Sequence, residues 1–234
     1  MKKKTRWPLY LIIGLIITFI AFTVPLPYYI EVPGTSEDIR KVLQVNNQPD
    51  QEEGSYQFVT VGVKHARMVD LVYAWLTPFT DIHSAKEMTG GSSDAEFMRI
   101  NQFYMETSQN MAKYQGLKTA GKEIELKYLG VYVLTVTDNS TFKGVLNIAD
   151  TVTAVNDKTF ESSKEMVDYV NSQTLGDQVK VTYEEDGKVK TAEGKIITLE
   201  NGKNGIGIGL IDRTEVSSDV PIKFSTAGIG GPSA

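Results

Sequence analysis

The fold of this chain is decided by one stretch, residues 123–136, which reads EIELKYLGVYVLTV. Its apolar, β-branched and aromatic residues predict two strand segments, Glu123–Tyr128 and Val131–Val136, and Gly130 marks the break between them. Strand signals dominate the sequence from this point onward. The chain has 234 residues, enough for one large or two small domains with a buried core.

Working outward, the next segments predict a helix followed by a hairpin. Ser162-Ser163-Lys164-Glu165 has the spacing of a capping box and opens a short helix through Val170. Two short strands, Val179–Tyr183 and Val189–Ala192, then flank Glu184-Glu185-Asp186-Gly187. The Asp-Gly pair is a hairpin signal, and the three acids are interpreted as a solvated turn rather than a metal site. One side of the helix carries Met166, Val167 and Val170.

The region from Glu123 to Leu199 resembles a PDZ domain of the bacterial protease-associated type. Besides the helix, the matching residues are Leu129–Val133, Gly144–Leu146, Ala149–Asn156 and Gly176–Tyr183. Such a domain leaves an open sheet edge beside a short helix, where a peptide adds a strand.

The resemblance implies a role for individual residues of this region. Gly130 and Val131 would lie in the loop that cradles a peptide carboxylate. Tyr132–Thr135, including Val133, would pair with the ligand, and Met166, Val167 and Val170 would line the pocket. The alternative is that these apolar residues simply fill a small core.

The amino terminus predicts a membrane anchor. From Leu9 to Val24 no residue is charged, and Lys2, Lys3, Lys4 and Arg6 precede this run. The basic start would keep the amino terminus cytoplasmic and place the bulk of the chain outside the cell. A cleaved signal peptide is the alternative, but Ala21-Phe22-Thr23 is a poor cleavage site. The prolines between Pro25 and Gly34 predict a stiff exit from the membrane.

Composition excludes several classes of function. Four of the 24 basic residues precede the apolar run, which leaves 20 basic against 29 acidic residues, a balance of −9. We therefore expect no nucleic-acid partner. The chain has no cysteine, so neither disulfides nor a cysteine nucleophile is available.

The carboxyl-terminal residues, GIGGPSA over 228–234, place a serine in a glycine-proline turn. A flexible glycine-rich tail is the alternative interpretation. Together with Trp7–Tyr10, Pro25–Tyr29, Gly205–Gly209 and Pro221–Phe224, however, this turn resembles the membrane-anchored Lon-like serine proteases with an inserted PDZ domain (the SepM and YlbL type).

That resemblance implies a Ser-Lys dyad. Ser233 would be the nucleophile, and backbone N–H groups of the turn formed by Gly230, Gly231, Pro232 and Ala234 would stabilise the oxyanion. The lysine base would lie downstream of Ala234, so we expect the chain as given to be inactive. No Walker A motif is present, and we expect neither ATP nor a metal or cofactor.

Other candidate catalytic residues have a simpler interpretation. Lys223 alternates with Ile222 and Phe224 like an exposed strand residue, and Lys64 and Lys86 lack distinguishing context. His65 and His83 sit in no supporting motif.

Gly205–Gly209 predicts a strand with close backbone approach rather than a nucleotide loop. Ser93-Asp94-Ala95-Glu96 opens a helix that is predicted to stop at Gly116.

We therefore expect an α+β protein: a transmembrane helix and a Lon-like domain interrupted by a PDZ-like β-sandwich or barrel. The predicted divisions are 1–30 for the anchor, 31–122 and 200–234 for the protease domain, and 123–199 for the PDZ domain. The predicted function is an extracellular serine endopeptidase that processes secreted signalling peptides. The alternatives are a non-catalytic, membrane-tethered PDZ peptide-binding module, or a scaffold whose PDZ region is packed shut.

Overall fold

A computed structural model describes residues 6–225 and 230–231, which form helices and strands in a mixed arrangement. The predicted α+β class is confirmed. The helices are α1 (Trp7–Thr23), α2 (Met68–Leu76), α3 (Ala85–Thr89), α4 (Asp94–Thr119) and α5 (Ser163–Asn171), with a 3-10 turn over Ile39–Lys41. The strands are β1 (Pro25–Asp38), β2 (Leu43–Val45), β3 (Gln57–Arg67), β4 (Asp81–Ser84), β5 (Glu125–Val136), β6 (Thr151–Val155), β7 (Gln178–Glu185), β8 (Lys188–Lys195), β9 (Ile197–Thr198), β10 (Asn204–Gly205), β11 (Ile208–Ser217) and β12 (Ile222–Phe224).

These elements divide into two compact units. The first unit is Met1–Ile39 with Gly54–Ser93, and the second is Arg40–Glu53 with Asp94–Ala234. The boundaries expected from the sequence, at 122/123 and 199/200, both fall inside the second unit.

The first unit contains an antiparallel sheet in which β1 lies between β3 and β4. Its core includes Ile30 and Ala66, and the ring of Tyr29 stacks on His65 with 4.3 Å between ring centroids. The segment expected to be a stiff exit is in fact the start of β1. The strand accommodates prolines because its register shifts between Pro25 and Tyr29 and again after Pro33, and proline is tolerated in sheets at such irregular positions.

Helix α1 has 17 residues, and no side chain in it is buried. Among the residues that the structure describes, no helix is both long enough and apolar enough to cross a membrane. The transmembrane helix predicted from the sequence is therefore not supported.

The second unit is built around a five-stranded sheet in the order β11-β5-β6-β7-β8. The predicted hairpin is confirmed: β7 and β8 pair throughout, and Asp186 and Gly187 both have positive φ, as the tight turn requires. The core is formed by fully buried apolar side chains, above all Phe142, with members from every layer of the unit. These include Val131, Val133, Val152, Val155, Met166, Val170, Val179, Val181 and Ile196.

Helix α4 continues through Gly116 and ends at Thr119, so the predicted stop is wrong. A Cβ at Gly116 would meet nothing within 4 Å, and a glycine inside a helix costs only about 1 kcal/mol. The chain turns at Gly121, which has φ +65°, and Lys122 N–H donates to the Leu117 carbonyl. Gly121 is thus the residue with the left-handed conformation typical of helix ends.

Candidate binding groove

The predicted groove region is organised around α5. Ser162 caps this helix: its Oγ accepts a hydrogen bond from the Glu165 N–H at 3.2 Å. The cap fixes the start of the helix, and the helical period then turns Met166 and Val170 toward the sheet, where both are buried. Val167 is half-buried beside them. All three line a small cavity of about 50 Å³, whose opposite wall is formed by Leu199 and residues 205–208 and 210.

Gly130 lies inside the continuous strand β5 and pairs with Arg213 of β11, so the predicted break between two strand segments, and the loop that the resemblance places there, are wrong. Gly130 has φ +132°, and a Cβ there would lie 2.3 Å from the Val152 carbonyl oxygen. Only glycine fits this combination of backbone angle and close approach. The bend sets the alternation of the following residues, so that Val131 and Val133 enter the same core as Met166 and Val170.

Tyr132 lies on the opposite face of β5 from that core, because side chains alternate along a strand. Its ring stacks on Phe103 of α4 with 3.8 Å between centroids, and its hydroxyl donates to Glu106 at 3.2 Å. Burial, together with the Glu106 carboxylate, raises the pKa of Tyr132 to about 12. The structure therefore brings Val131 and Val133 together with the α5 residues, whereas Tyr132 faces α4.

The edge of β5 beside α5 is paired with β11. Ile208 lies opposite Val136, Leu210 opposite Val133, and Ile211 opposite Tyr132. Side chains of Ile208 and Leu210 pack against the core that contains Met166 and Val170. Residues 132–135, which the resemblance assigns to ligand pairing, are thus hydrogen-bonded to a strand of the same chain. Sequence reasoning did not find this strand pairing, because nothing local to 208–217 specifies its partner.

Helix α4 supports β11 from the other side. Thr107 Oγ1 donates to the Asp212 carbonyl at 2.9 Å, and Asn110 Nδ2 donates to the Thr214 carbonyl at 2.8 Å. These two side chains escaped the sequence analysis, which predicted the helix but no role for its polar residues. Their polar character at helical spacing, three residues apart on one face, is the signal that could have marked them.

A wider cavity of about 470 Å³ lies between α4 and the strands of the same unit. Arg213 crosses it, 2.9 Å from Thr151 Oγ1 and 3.4 Å from a Glu184 carboxylate oxygen, with its guanidinium 5.4 Å from the centre of the Tyr132 ring. Burial raises the pKa of the nearby Asp150 carboxyl, even though this group accepts the Asn147 N–H at 2.8 Å. The cavity is polar, and Glu106, Glu184 and Arg213 in its lining already have hydrogen-bond or ion-pair partners.

The serine turn lies largely outside the described residues: Pro232, Ser233 and Ala234 are not among them, whereas Gly230 and Gly231 are. Gly231 is buried, has φ +121°, and donates its N–H to the Asn101 carbonyl of α4 at 2.9 Å. A Cβ on Gly230 would lie 3.0 Å from Asn101 Cβ. Gly230 and Gly231 therefore lie against α4, and the Gly231 N–H that was predicted to stabilise an oxyanion instead donates to Asn101.

The other residues weighed as catalytic candidates have ordinary surroundings. Lys223 lies in β12, exposed, and donates to Asn47 Oδ1 at 2.5 Å, as expected for a surface strand residue. Lys64 pairs with Asp70 at 2.8 Å, and His83 lies 3.5 Å from Glu31.

Comparison with known families identifies the region around this groove. A family model described as "PDZ domain" matches residues 102–196. This chain contains a PDZ domain. The match includes α5 and Gly130 of β5 but does not extend to β11.

Two solved PDZ domains are similar to part of the chain. The PDZ domain of an SdrC-like protein from Listeria monocytogenes is 36% identical and covers 37% of this chain and 93% of its own length, with a TM-score of 0.35. Its counterpart from Listeria innocua is 36% identical over 35% of this chain and 92% of its own length, with a TM-score of 0.33. A search of curated proteins found no match.

Proposed function

We propose that the chain recognises extended peptides in the groove between β5 and α5 of its PDZ domain. The observation that carries the proposal is the apolar groove floor, formed by Met166, Val167 and Val170 of α5 where they line the small cavity beside β11. Val131 and Val133 belong to the buried core behind it. A peptide that lies along β5 would receive backbone hydrogen bonds, which give affinity for many sequences, and its alternate side chains would enter the apolar groove floor, which selects among them.

The groove chemistry favours one class of peptide. Alternate apolar residues match the alternation of a strand, and by the PDZ resemblance a free carboxylate would lie beside Gly130 and Val131. Secreted peptides remain the partners that we propose.

Membrane attachment through α1 is proposed on the exposure of its large apolar side chains, of which Trp7 is 70% and Phe19 67% exposed. Extraction of membranes with alkaline carbonate tests the attachment, because a peripheral chain would be released.

Peptide recognition is tested with fluorescein-labelled hexapeptides that end in a free carboxylate. One peptide carries leucine at its last and third-last positions, and the control carries aspartate there. We expect fluorescence anisotropy to detect binding of the leucine peptide alone, and the Val167→Asp variant to lose it. Val167 is half-buried at the groove, so this change spares the core, and Val189→Asp on the exposed β8 is the matched control.

Two results would reject peptide recognition. One is equal binding of the leucine and aspartate peptides. The other is unchanged binding by Val167→Asp. Circular dichroism spectra of both variants verify that the fold is retained.

A second candidate function is the Lon-like endopeptidase, favoured by the fixed position of Gly230 and Gly231 against Asn101. Because the Gly231 N–H donates to Asn101, the oxyanion would be stabilised by other N–H groups of the turn. We propose that Ser233 acts as the nucleophile, with its base supplied by a lysine downstream of Ala234. Mass spectrometry of secreted peptides incubated with a chain extended past Ala234 tests this proposal. Discrete cuts that vanish in Ser233→Ala support it, whereas cuts that persist in that variant reject it.

A further inference from the structure

We infer that β11 is an internal ligand of the PDZ groove, and that it must leave before an external peptide can enter. This inference rests on the proposed peptide recognition and adds its regulation. The first ground is the position of the strand. Residues 208–213 of β11 pair along residues 130–136 of β5, the edge at which a bound peptide would add a strand.

The side chains of β11 make the contacts that a bound peptide would make. Ile208 and Leu210 pack against the core with Met166 and Val170, and both line the small cavity beside α5. Between them, Gly209 passes so close to β5 that a Cβ would lie 2.4 Å from Thr135 Oγ1. The segment therefore alternates apolar and small residues in the manner that the groove requires.

A carboxylate completes the likeness to a peptide ligand. Asp212 lies opposite Val131, and its Oδ1 accepts the N–H of Ser163, the first residue of α5, at 3.1 Å. The positive end of a helix dipole favours a negative charge at this position. A carboxylate is thus carried by the residue opposite Val131, where the resemblance would place the end of a peptide.

The pairing of β11 with β5 is irregular, and α4 compensates for this. Register shifts occur between Gly209 and Leu210 and between Arg213 and Thr214, within seven residues. Such bulges disrupt the hydrogen-bond ladder. The side chains of Thr107 and Asn110 hold the outer edge of the strand at the carbonyls of Asp212 and Thr214. These two side chains form the α4 latch, which contacts no part of the apolar groove floor.

The latch offers a way to release β11 without altering the groove. The probe is a fluorescein-labelled peptide with the sequence of residues 205–212, Gly-Ile-Gly-Ile-Gly-Leu-Ile-Asp, with a free carboxylate. The proteins are the full wild-type chain, the double variant Thr107→Ala/Asn110→Ala, and Met98→Ala, an exposed α4 position, as the matched control. The double variant loses the two hydrogen bonds that hold β11. We therefore expect it to bind the probe about 5-fold to 150-fold more tightly than the wild-type chain does.

Hydrogen exchange supplies a readout that needs no peptide. In the wild-type chain we expect amides of 132–135 and 208–212 to be protected, and in the double variant both sets to lose protection together. The inference would be overturned if the wild-type chain and the double variant both bound the probe, and did so with equal affinity. So would exchange at 208–212 that is already fast in the wild-type chain.

The two proposals fail in distinguishable ways. If no variant binds the probe or the leucine peptide, peptide recognition is rejected, and the joint change in exchange alone decides whether β11 occupies the groove. If the leucine peptide binds the wild-type chain as tightly as the double variant, peptide recognition stands and the internal-ligand inference falls.

Discussion

Replacement of Gly130 by alanine tests whether the bend in β5 is as tight as the structure indicates. The new Cβ would meet two penalties. A side chain at φ +132° costs on the order of 1–3 kcal/mol. A contact of 2.3 Å with the Val152 carbonyl oxygen, a backbone atom that cannot rotate away, adds about 1–3 kcal/mol. Together these penalties reach about 2–6 kcal/mol, a large part of the roughly 5–15 kcal/mol that holds a domain folded.

Gly144→Ala is the matched control, because Gly144 also has positive φ, +77°, but a Cβ there would meet nothing within 4 Å. Only the backbone penalty applies to it, about 1–2 kcal/mol. The difference between the two variants combines the steric overlap with the higher backbone cost of φ +132° than of φ +77°. We expect Gly130→Ala to be the more destabilising by about 1–4 kcal/mol.

Hydrogen exchange of the amides of the buried residues Val179 and Val181 measures this difference, since both lie in β7, an interior strand of the same unit. Exchange of such core amides reports opening free energies up to the global value. Equal destabilisation by Gly130→Ala and Gly144→Ala would refute the reasoning, because the contact with Val152 would then cost nothing.

Three further variants test the interior of the second unit. Tyr128→Phe should stabilise the chain by about 1 kcal/mol in urea unfolding, because the buried Tyr128 hydroxyl has no hydrogen-bond partner among the described residues; a loss of stability would contradict this. Phe142→Ala should cost about 3–5 kcal/mol in the same assay, since its ring is fully buried, and a cost below about 1 kcal/mol would show that the site is loosely packed. Because burial raises the pKa of Asp150, its charged form is disfavoured in the folded chain, so stability falls as pH rises through that pKa. Asp150→Asn should therefore gain stability over wild type at pH 7 but not below about pH 3, and a pH-independent difference in melting temperature would count against this assignment.

The elements that the sequence predicted correctly are those with local signals. Helix α5 followed from its cap at Ser162, and the β7–β8 hairpin followed from Asp186 and Gly187, because caps and tight turns depend on residues a few positions apart. The close backbone approach of the glycines at 205–209 was also predictable. By contrast, the pairing of β11 with β5 joins residues about 75 positions apart, such as Leu210 and Val133.

The same reasoning explains the errors at the other end of the chain. Prolines at 25, 27 and 33 argued against a strand, yet β1 runs through them. The register of its pairing with β3 shifts at the positions where the backbone N–H groups that proline lacks would be needed. For the candidate site, the roles assigned to the groove residues of α5 and to Gly130 came from the resemblance to PDZ domains. The latch residues Thr107 and Asn110 acquire their role only through contact with a strand about 105 positions away.

The alternation of glycine along residues 205–209 limits how this stretch can change in evolution. A Cβ at Gly207 would lie 2.5 Å from Thr137 Oγ1, and one at Gly209 would lie 2.4 Å from Thr135 Oγ1. Inserting or deleting one residue would exchange the two sets of positions and bring an isoleucine against these threonines. The spacing of these glycines is therefore constrained, although the register shift between Gly209 and Leu210 shows that one extra residue is accommodated directly after them. A segment with the composition of a flexible linker is thus one of restricted sequence.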